Sequence, residues 1–348
     1  VNRRALVTAA VGVAVGASVV VALVVGGSRA ARLVSAPPSV VAPEDAAPAP
    51  EFAGIEEWLN SPRLTMASLR GHVVLVDFWT YSCINCRRTL PFLRALHETY
   101  GSRGLTIVGI HTPEFDFEKL PANVSRAVHD LDVTWPVAED PDRETWDAWR
   151  NQYWPADYLV DTNGLVRLTH VGEGDERSIE DAIRGLLPDP GPARASGRPD
   201  PSAARLTPET YLGYERGGLV PPDTTESRSD TSGAVRLSGR FTGAVQWLSA
   251  AAPGATVTID TTARDVYAVM APPAGSAAPQ RVEVLLNGAP VPEGRRGASV
   301  VVVSGRTYVD VRADDLYHLV TGPSVSSQRV SLTATASGVR WFTFTFGG

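Results

Sequence analysis

The sequence predicts a mixed α/β domain followed by an all-β sandwich of jelly-roll type, with an apolar helix ahead of both. Three observations carry this reading. An apolar run at 73–79, VVLVDFW, leads into a helical pattern. The hydrophobic period switches from helical to two beyond about residue 205. Residues 5–27 contain no charged side chain. A chain of 348 residues has room for two domains, and a net charge of −6 gives no reason to expect nucleic acid as a partner.

The N-terminal run, at about 1.5 Å per helical residue, reaches roughly 34 Å, enough to cross a bilayer core. Arg3 and Arg4 precede it and Arg29 and Arg32 follow. Two readings stay open for residues 1–34: an uncleaved anchor, or a signal cleaved near Val34-Ser35-Ala36. Arg3-Arg4 before Ala5-Leu6-Val7 also loosely matches a twin-arginine export signal. Both readings place the rest of the chain outside the cytoplasm, at the cell membrane or secreted. Residues 35–50 are Ala/Pro-rich and read as a tether.

The α/β domain is expected over 51–187. Residues 58–60 and 64–69 suggest an entry hairpin or turn. The run 73–79 reads as a strand buried on both faces. A helix follows over 83–100, with Leu90, Leu93, Leu96 and Tyr100 on one face and Gly101 and Gly104 ending it. A second buried strand covers 105–111. A helical stretch over 114–131 is expected to break at Pro121. A short helix at 144–149, strands at 157–161 and 165–171 around Thr162-Asn163-Gly164, and a helix at 178–187 complete the domain. Residues 188–205 form a second Pro/Gly-rich linker. In 206–348, ten short strands are expected at 235–241, 244–248, 256–261, 265–270, 281–286, 300–303, 306–311, 317–320, 329–334 and 340–346.

The chain has two cysteines, Cys83 and Cys86, three residues apart where the first strand passes into its helix. The first thiol of such a pair sits at a helix N-terminus, where unpaired N–H groups and the helix dipole favour a thiolate. Arg87 and Arg88 are expected to push the same way. Cys83 is therefore the candidate nucleophile and Cys86 the resolving thiol, closing a Cys83–Cys86 disulfide as the cycle ends. A structural disulfide over so short a loop would stabilise little. Zinc would need further Cys or His ligands at suitable spacing, which are lacking, so no metal is expected. Two sulfurs exchange disulfides without a cofactor, and none is expected.

The strand VLVDFW followed four residues later by Cys-x-x-Cys resembles the thioredoxin superfamily. That resemblance implies a thioredoxin fold and assigns roles to further residues. Pro91 matches the kink proline of the active-site helix. Asp77 matches the buried acid that takes the proton of the resolving cysteine, a task that suits a carboxyl whose pKa burial has raised. Pro155 matches the cis-proline that faces the cysteines and offers a backbone edge to substrate. By their place in the sequence, Trp154, Trp79 and Tyr81 flank the site and are candidates for an apolar docking surface that receives substrate, with packing against the core as the alternative. The segments FWTYSCINCRR, GIHTPEF, YWPA, GEGD and LTPETYLG are similar to the extracytoplasmic part of DipZ-type proteins: a TlpA-like thioredoxin domain followed by a β-sandwich resembling carbohydrate-binding modules. Those proteins carry a multi-span CcdA-type domain ahead of this region. Here one apolar run stands in its place, so a separate membrane electron donor is expected. The implied function is disulfide exchange, as reductase or isomerase, with protein thiols and disulfides of the cell envelope as partners.

Other residues carry weaker signals. His111, at a strand end on the active-site side, either tunes Cys83 or is structural. Thr80-x-x-Cys83 has the spacing of a peroxiredoxin motif, but Val76 stands where that family has proline, which makes a thiol peroxidase the weaker alternative. Trp247, Tyr267, Tyr308, Tyr317 and Trp341 are candidates for a sugar-stacking face, so an envelope carbohydrate-binding or scaffold protein is the remaining alternative.

Overall fold

The computed structural model describes residues 40–195, 206–217, 235–276 and 278–348. The expected anchor or signal at 1–34 lies outside the described residues. Among those described, no helix is long and apolar enough to cross a membrane.

The α/β part is built on a six-stranded sheet. Its elements in chain order are β1 (Trp58–Leu59), β2 (Val73–Trp79), α1 (Ile84–Tyr100), β3 (Leu105–His111), α2 (Pro121–Asp130), β4 (Val137–Glu139), α3 (Glu144–Ala148), β5 (Ala156–Val160), β6 (Val166–Val171) and α4 (Glu176–Leu186). The strand order is β1-β4-β3-β2-β5-β6; β2, β3 and β4 are parallel, and β5 and β6 run antiparallel to their neighbours. This is the expected thioredoxin fold. Every residue of β2 is buried, which explains its continuous apolar run. Alternation sends Val73, Leu75 and Trp79 to the core shared with α1, and Val74, Val76 and Phe78 to the core on the opposite face. Pro121 does break its stretch: a 3-10 turn at Asp116–Lys119 ends there and α2 begins with the proline, whose missing N–H has no partner to lose at that position.

Three expectations change. The pair Trp58-Leu59 is an edge strand on β4 and not half of a hairpin, and β4 itself was not foreseen. The stretch 41–50 is not a free tether. Val41 N donates to Arg167 O at 2.7 Å, Val166 N to Ala47 O at 2.8 Å and Ala49 N to Gly164 O at 2.9 Å, so this chain covers the open edge at β6. The second linker is likewise held as far as it is described. Arg184 donates to the carbonyls of Gly191 and Ala193, and Ala195 N donates to Glu180.

The C-terminal part consists of β7 (Thr210–Tyr211), α5 (Tyr214–Gly217), β8 (Val235–Ser238), β9 (Phe241–Gly243), β10 (Leu248–Ala250), β11 (Thr256–Ala263), β12 (Asp265–Ala271), β13 (Gln280–Leu286), β14 (Ala289–Pro290), β15 (Val300–Val303), β16 (Arg306–Val311), β17 (Asp315–Val320), β18 (Ser326–Ala334) and β19 (Arg340–Gly347). One sheet has the order β17-β12-β19-β10-β9, with β7 on β19; the other has the order β15-β16-β13-β18-β11-β8, with β14 on β13. Strict alternation along β11 turns Val257, Ile259, Thr261 and Ala263 inward. The Asn287-Gly288 turn has both residues at positive φ, the geometry that a tight two-residue hairpin requires.

The two parts share apolar core. Val269, Ala271, Leu316 and Phe342 of the β-rich part pack into the cluster that lies beneath α1. A register shift between β12 and β19 leaves Phe342 as an extra residue between Trp341 and Thr343. Such a bulge re-aims its side chain. Phe342 packs edge-on against Phe115 and Phe117, with ring centroids 5.2 and 4.8 Å away.

Candidate active site

The end of β2 delivers the chain into the turn Thr80-Tyr81-Ser82, and Cys83 is the N-cap of α1. Its sulfur accepts a hydrogen bond from Cys86 N at 3.4 Å. Both cysteines are free thiols, Cys83 half-buried and Cys86 fully buried. The pair is thus in the dithiol form of the expected disulfide, with one sulfur reachable and the other enclosed. Burial, then the hydrogen bond with Cys83, pushes the Cys86 thiol well above the usual range, and the nearby charge of Asp77 adds to this.

Asp77 lies on the α1 face of β2, 1% exposed, with neither carboxyl oxygen hydrogen-bonded. Burial first, and the Asp157 carboxyl second, raise its pKa well above that of an ordinary aspartate. An enclosed thiol and an enclosed carboxyl whose charges act on each other are the arrangement expected of a proton donor and its acceptor. The Trp154–Pro155 peptide is cis, as the resemblance implied. Pro155 is buried, and its carbonyl accepts from Gly172 N at 2.8 Å. Trp154 is half-exposed and fixed from three sides. Its Nε1 donates to Thr112 O at 3.0 Å, its ring lies 4.3 Å from that of Trp146, and the Arg143 guanidinium sits 5.0 Å over it.

Trp79 and Tyr81 do not join a docking surface: they are 1% and 0% exposed, respectively. The odd-numbered positions of β2 face α1, so Trp79 packs under the helix. Tyr81 lies stacked on His111, with ring centroids 5.6 Å apart. Tyr153, next to Trp154, is the exposed aromatic instead, at 55%. His111 is buried between Trp79 and Tyr81 with Nε2 3.3 Å from Thr80 Oγ1, and burial lowers its pKa to about 3. It is a neutral packing residue. Arg87 and Arg88 are spoken for as well. Arg87 donates to Tyr81 O and pairs with Asp315 of the β-rich part, while Arg88 pairs with Glu173 and bonds Asn85. Their charges are met by these carboxylates.

Three residues near the site were missed. Glu118 is 1% exposed and accepts from Ser82 N and Oγ and from the backbone N–H groups of Glu114 and Phe115, which ties the cysteine turn to the 3-10 turn before α2. Asp157 lies buried opposite Asp77 on β5, and His170 lies buried opposite Asp157 on β6. Their signal was present in the sequence: the Thr162-Asn163-Gly164 hairpin sets Asp157 and His170 opposite each other on β5 and β6.

The candidate sugar-stacking residues do not form one face. Trp341 and Tyr317 belong to the sandwich core, Trp247 and Tyr267 pack against the core shared with the α/β part, and Tyr308 lies beneath Arg281 and Arg306.

A parallel core strand, a dithiol at the N-terminus of the following helix and a cis-proline ahead of the antiparallel strand beside it define a thioredoxin-like domain. Residues 46–169 match the AhpC/TSA family and residues 207–347 the family described as "Thioredoxin like C-terminal domain". The α/β part is thus a thioredoxin-like domain. The chain is similar to protein DipZ of Mycobacterium bovis, 38% identical over 249 residues that make up 65% of this chain and 35% of that protein. The chain thus spans about a third of that relative's length. It is also similar to the thiol-disulfide oxidoreductase YkuV of Bacillus subtilis, 29% identical over 40% of this chain and 94% of that one. Among solved structures, a thiol-disulfide isomerase from Corynebacterium glutamicum is 24% identical with a TM-score of 0.37, covering 40% of this chain and 97% of its own.

Proposed function

We propose that the protein is a thiol-disulfide oxidoreductase that exchanges disulfides of envelope or secreted proteins, as reductase or isomerase, from a site held outside the cytoplasm by its N-terminal segment. The observation that carries this reading is the asymmetry of the dithiol: a reachable Cys83 at a helix N-terminus and a buried Cys86 beside a buried Asp77. Cys83, as thiolate, attacks one sulfur of a substrate disulfide. The other substrate sulfur leaves with the electron pair, and a mixed disulfide remains on Cys83. Asp77 takes the proton of Cys86, and the new thiolate attacks Cys83. The second substrate thiol leaves and the Cys83–Cys86 disulfide closes. The substrate has gained two electrons and the dithiol has lost them. A Cys86 held protonated by its surroundings does not compete in the first attack. The cis-Pro155 edge and Trp154 receive the substrate backbone, and a separate membrane electron donor returns the enzyme to the dithiol. The relatives named as thiol-disulfide oxidoreductases support the reaction class.

A peroxidase reading is weaker, since the Thr80 hydroxyl is engaged with His111. A sugar-binding role for the β-rich part is weakened by the burial of Trp341 and Tyr317. The test is reduction of insulin with dithiothreitol as donor, together with trapping of envelope partners on Cys86→Ser. Wild type should be active, Cys83→Ser inactive, and Cys86→Ser should accumulate mixed disulfides on Cys83. Equal inactivity of wild type and Cys83→Ser, with no trapped partner, would refute the proposal.

A further inference from the structure

The exchange cycle leaves a proton inside the molecule. Cys86 and Asp77 are both enclosed, so a proton taken by Asp77 must reach water before the next turnover. A row of side chains crosses the sheet from this point. Asp77 on β2 is directly opposite Asp157 on β5, and Asp157 is directly opposite His170 on β6. Residues opposed across antiparallel strands project from the same face. Asp157 and His170 are 5% and 6% exposed. The imidazole stands between two carboxyls, with Nδ1 3.6 Å from Asp157 Oδ2 and Nε2 3.7 Å from Asp175 Oδ2. Asp175, the N-cap of α4, has a side chain 37% exposed and so opens the row to solvent. Ionisable groups in the middle of a sheet are costly, and apolar residues of similar size often serve stability as well or better. A row of them that starts at the proton acceptor and ends at the surface suits transport.

We propose that Asp157, His170 and Asp175 are the outlet for the proton that Asp77 takes from Cys86. The proposal rests on the dithiol reading above. The S–H bond of Cys86 breaks as an O–H bond forms on Asp77. No hydrogen bond joins Asp77, Asp157 and His170 at rest, so these side chains close up for the transfer: a proton passes to Asp157 and on to Nδ1 of His170, while Nε2 gives one to Asp175 and from there to water. Electrons stay with the sulfurs. Imidazole suits the middle position because one nitrogen accepts while the other donates. The charged groups acting on His170 are Asp157 on β5 and Asp175 ahead of α4. Burial lowers its pKa, but these two carboxyls outweigh burial and hold it above the ordinary value. At Asp77 the charged neighbours are Asp157 and the Cys86 thiol.

The test mixes the reduced full chain with an aromatic disulfide that releases a coloured thiolate. Attack by Cys83 releases one equivalent and resolution by Cys86 a second, each followed from pH 5 to pH 9. His170→Gln keeps a polar side chain but cannot relay. It should leave the first phase unchanged, slow the second about tenfold at neutral pH, at the low end of general acid–base contributions, and alter the pH profile of that phase. His170→Ala should be slowed similarly and recover with added imidazole. Circular dichroism verifies that both variants are folded. The relay is refuted if the second phase of His170→Gln keeps the wild-type rate. It is equally refuted if that phase slows with an unchanged pH profile and imidazole does not rescue His170→Ala, which is the behaviour of a structural residue. Failure of the dithiol reading appears elsewhere, in wild type, as a missing second phase or one that survives Cys86→Ser; the relay then falls with it.

Discussion

Replacing Asp77 with Asn should stabilise the protein progressively as pH rises, while impairing resolution. Asp77 is enclosed, neither carboxyl oxygen has a hydrogen-bond partner, and burial followed by the Asp157 carboxyl raises its pKa. In the unfolded chain the same carboxyl titrates near 3.9, roughly the free aspartate value. Between that value and the raised folded one, the folded protein holds more of the proton than the unfolded chain does. The contribution to stability is therefore complete below the unfolded pKa and is lost as pH rises through the folded one. Its slope is up to about 1.4 kcal/mol per pH unit. Asn is close in shape and stays neutral, so the variant is spared this loss. Urea unfolding of the reduced wild type and Asp77→Asn from pH 4 to pH 9 reads the difference directly, with the other titrating groups common to both. The difference should be flat at the acid end and then grow in favour of the variant. Parallel curves across the whole range would mean that Asp77 is not the enclosed, unpaired acid described above. In the same variant, the Cys86 step should slow about a hundredfold at neutral pH, within the usual range for a lost general base.

Three further outcomes are expected. Phe342→Ala should cost about 3–5 kcal/mol, the usual loss for an enclosed phenylalanine, and should lower the stability of both parts of the chain, seen as one shifted denaturant transition by fluorescence and by amide exchange in β2; a loss confined to the β-rich part would contradict the shared core. His111 is lowered to about 3 by burial, so its contribution is present above pH 6.5 and is lost as pH falls toward the folded value; His111→Gln should flatten the acid limb of the melting profile, and an unchanged limb would contradict the assignment. Glu139, 3% exposed, is raised to about 7 by burial, then by Glu57 and Glu56, so stability is lost as pH rises from about 4.5 through about 7; Glu139→Gln should match wild type at pH 4 and exceed it at pH 8 in chemical denaturation.

Residue order alone makes legible the parts of this protein that local physics controls. The run VVLVDFW could only be a strand covered on both faces, the change to a period of two marked out the β-rich part, and Pro121 fixed a helix start because its ring forbids continuation from the preceding turn. The Cys-x-x-Cys at a strand-to-helix junction defined the chemistry, and family resemblance supplied Asp77 and the cis-Pro155. Tertiary structure decided what depends on partners distant in the chain. Strands β1 and β4, of two and three residues, show no period and exist because each completes the other's hydrogen bonds at the sheet edge. Trp79 reads as a site aromatic beside the cysteines, yet strand alternation places it under α1. Arg87 and Arg88 look like charges on the thiol until Asp315 and Glu173, far away in sequence, are seen to hold them. Phe342 looks like one more sandwich residue until a bulge aims it at Phe115 and Phe117. The alignment of Asp77, Asp157 and His170 needs three strands in register before it exists at all. Residue type sets what a side chain can do; the packing of distant segments sets which neighbour it acts on.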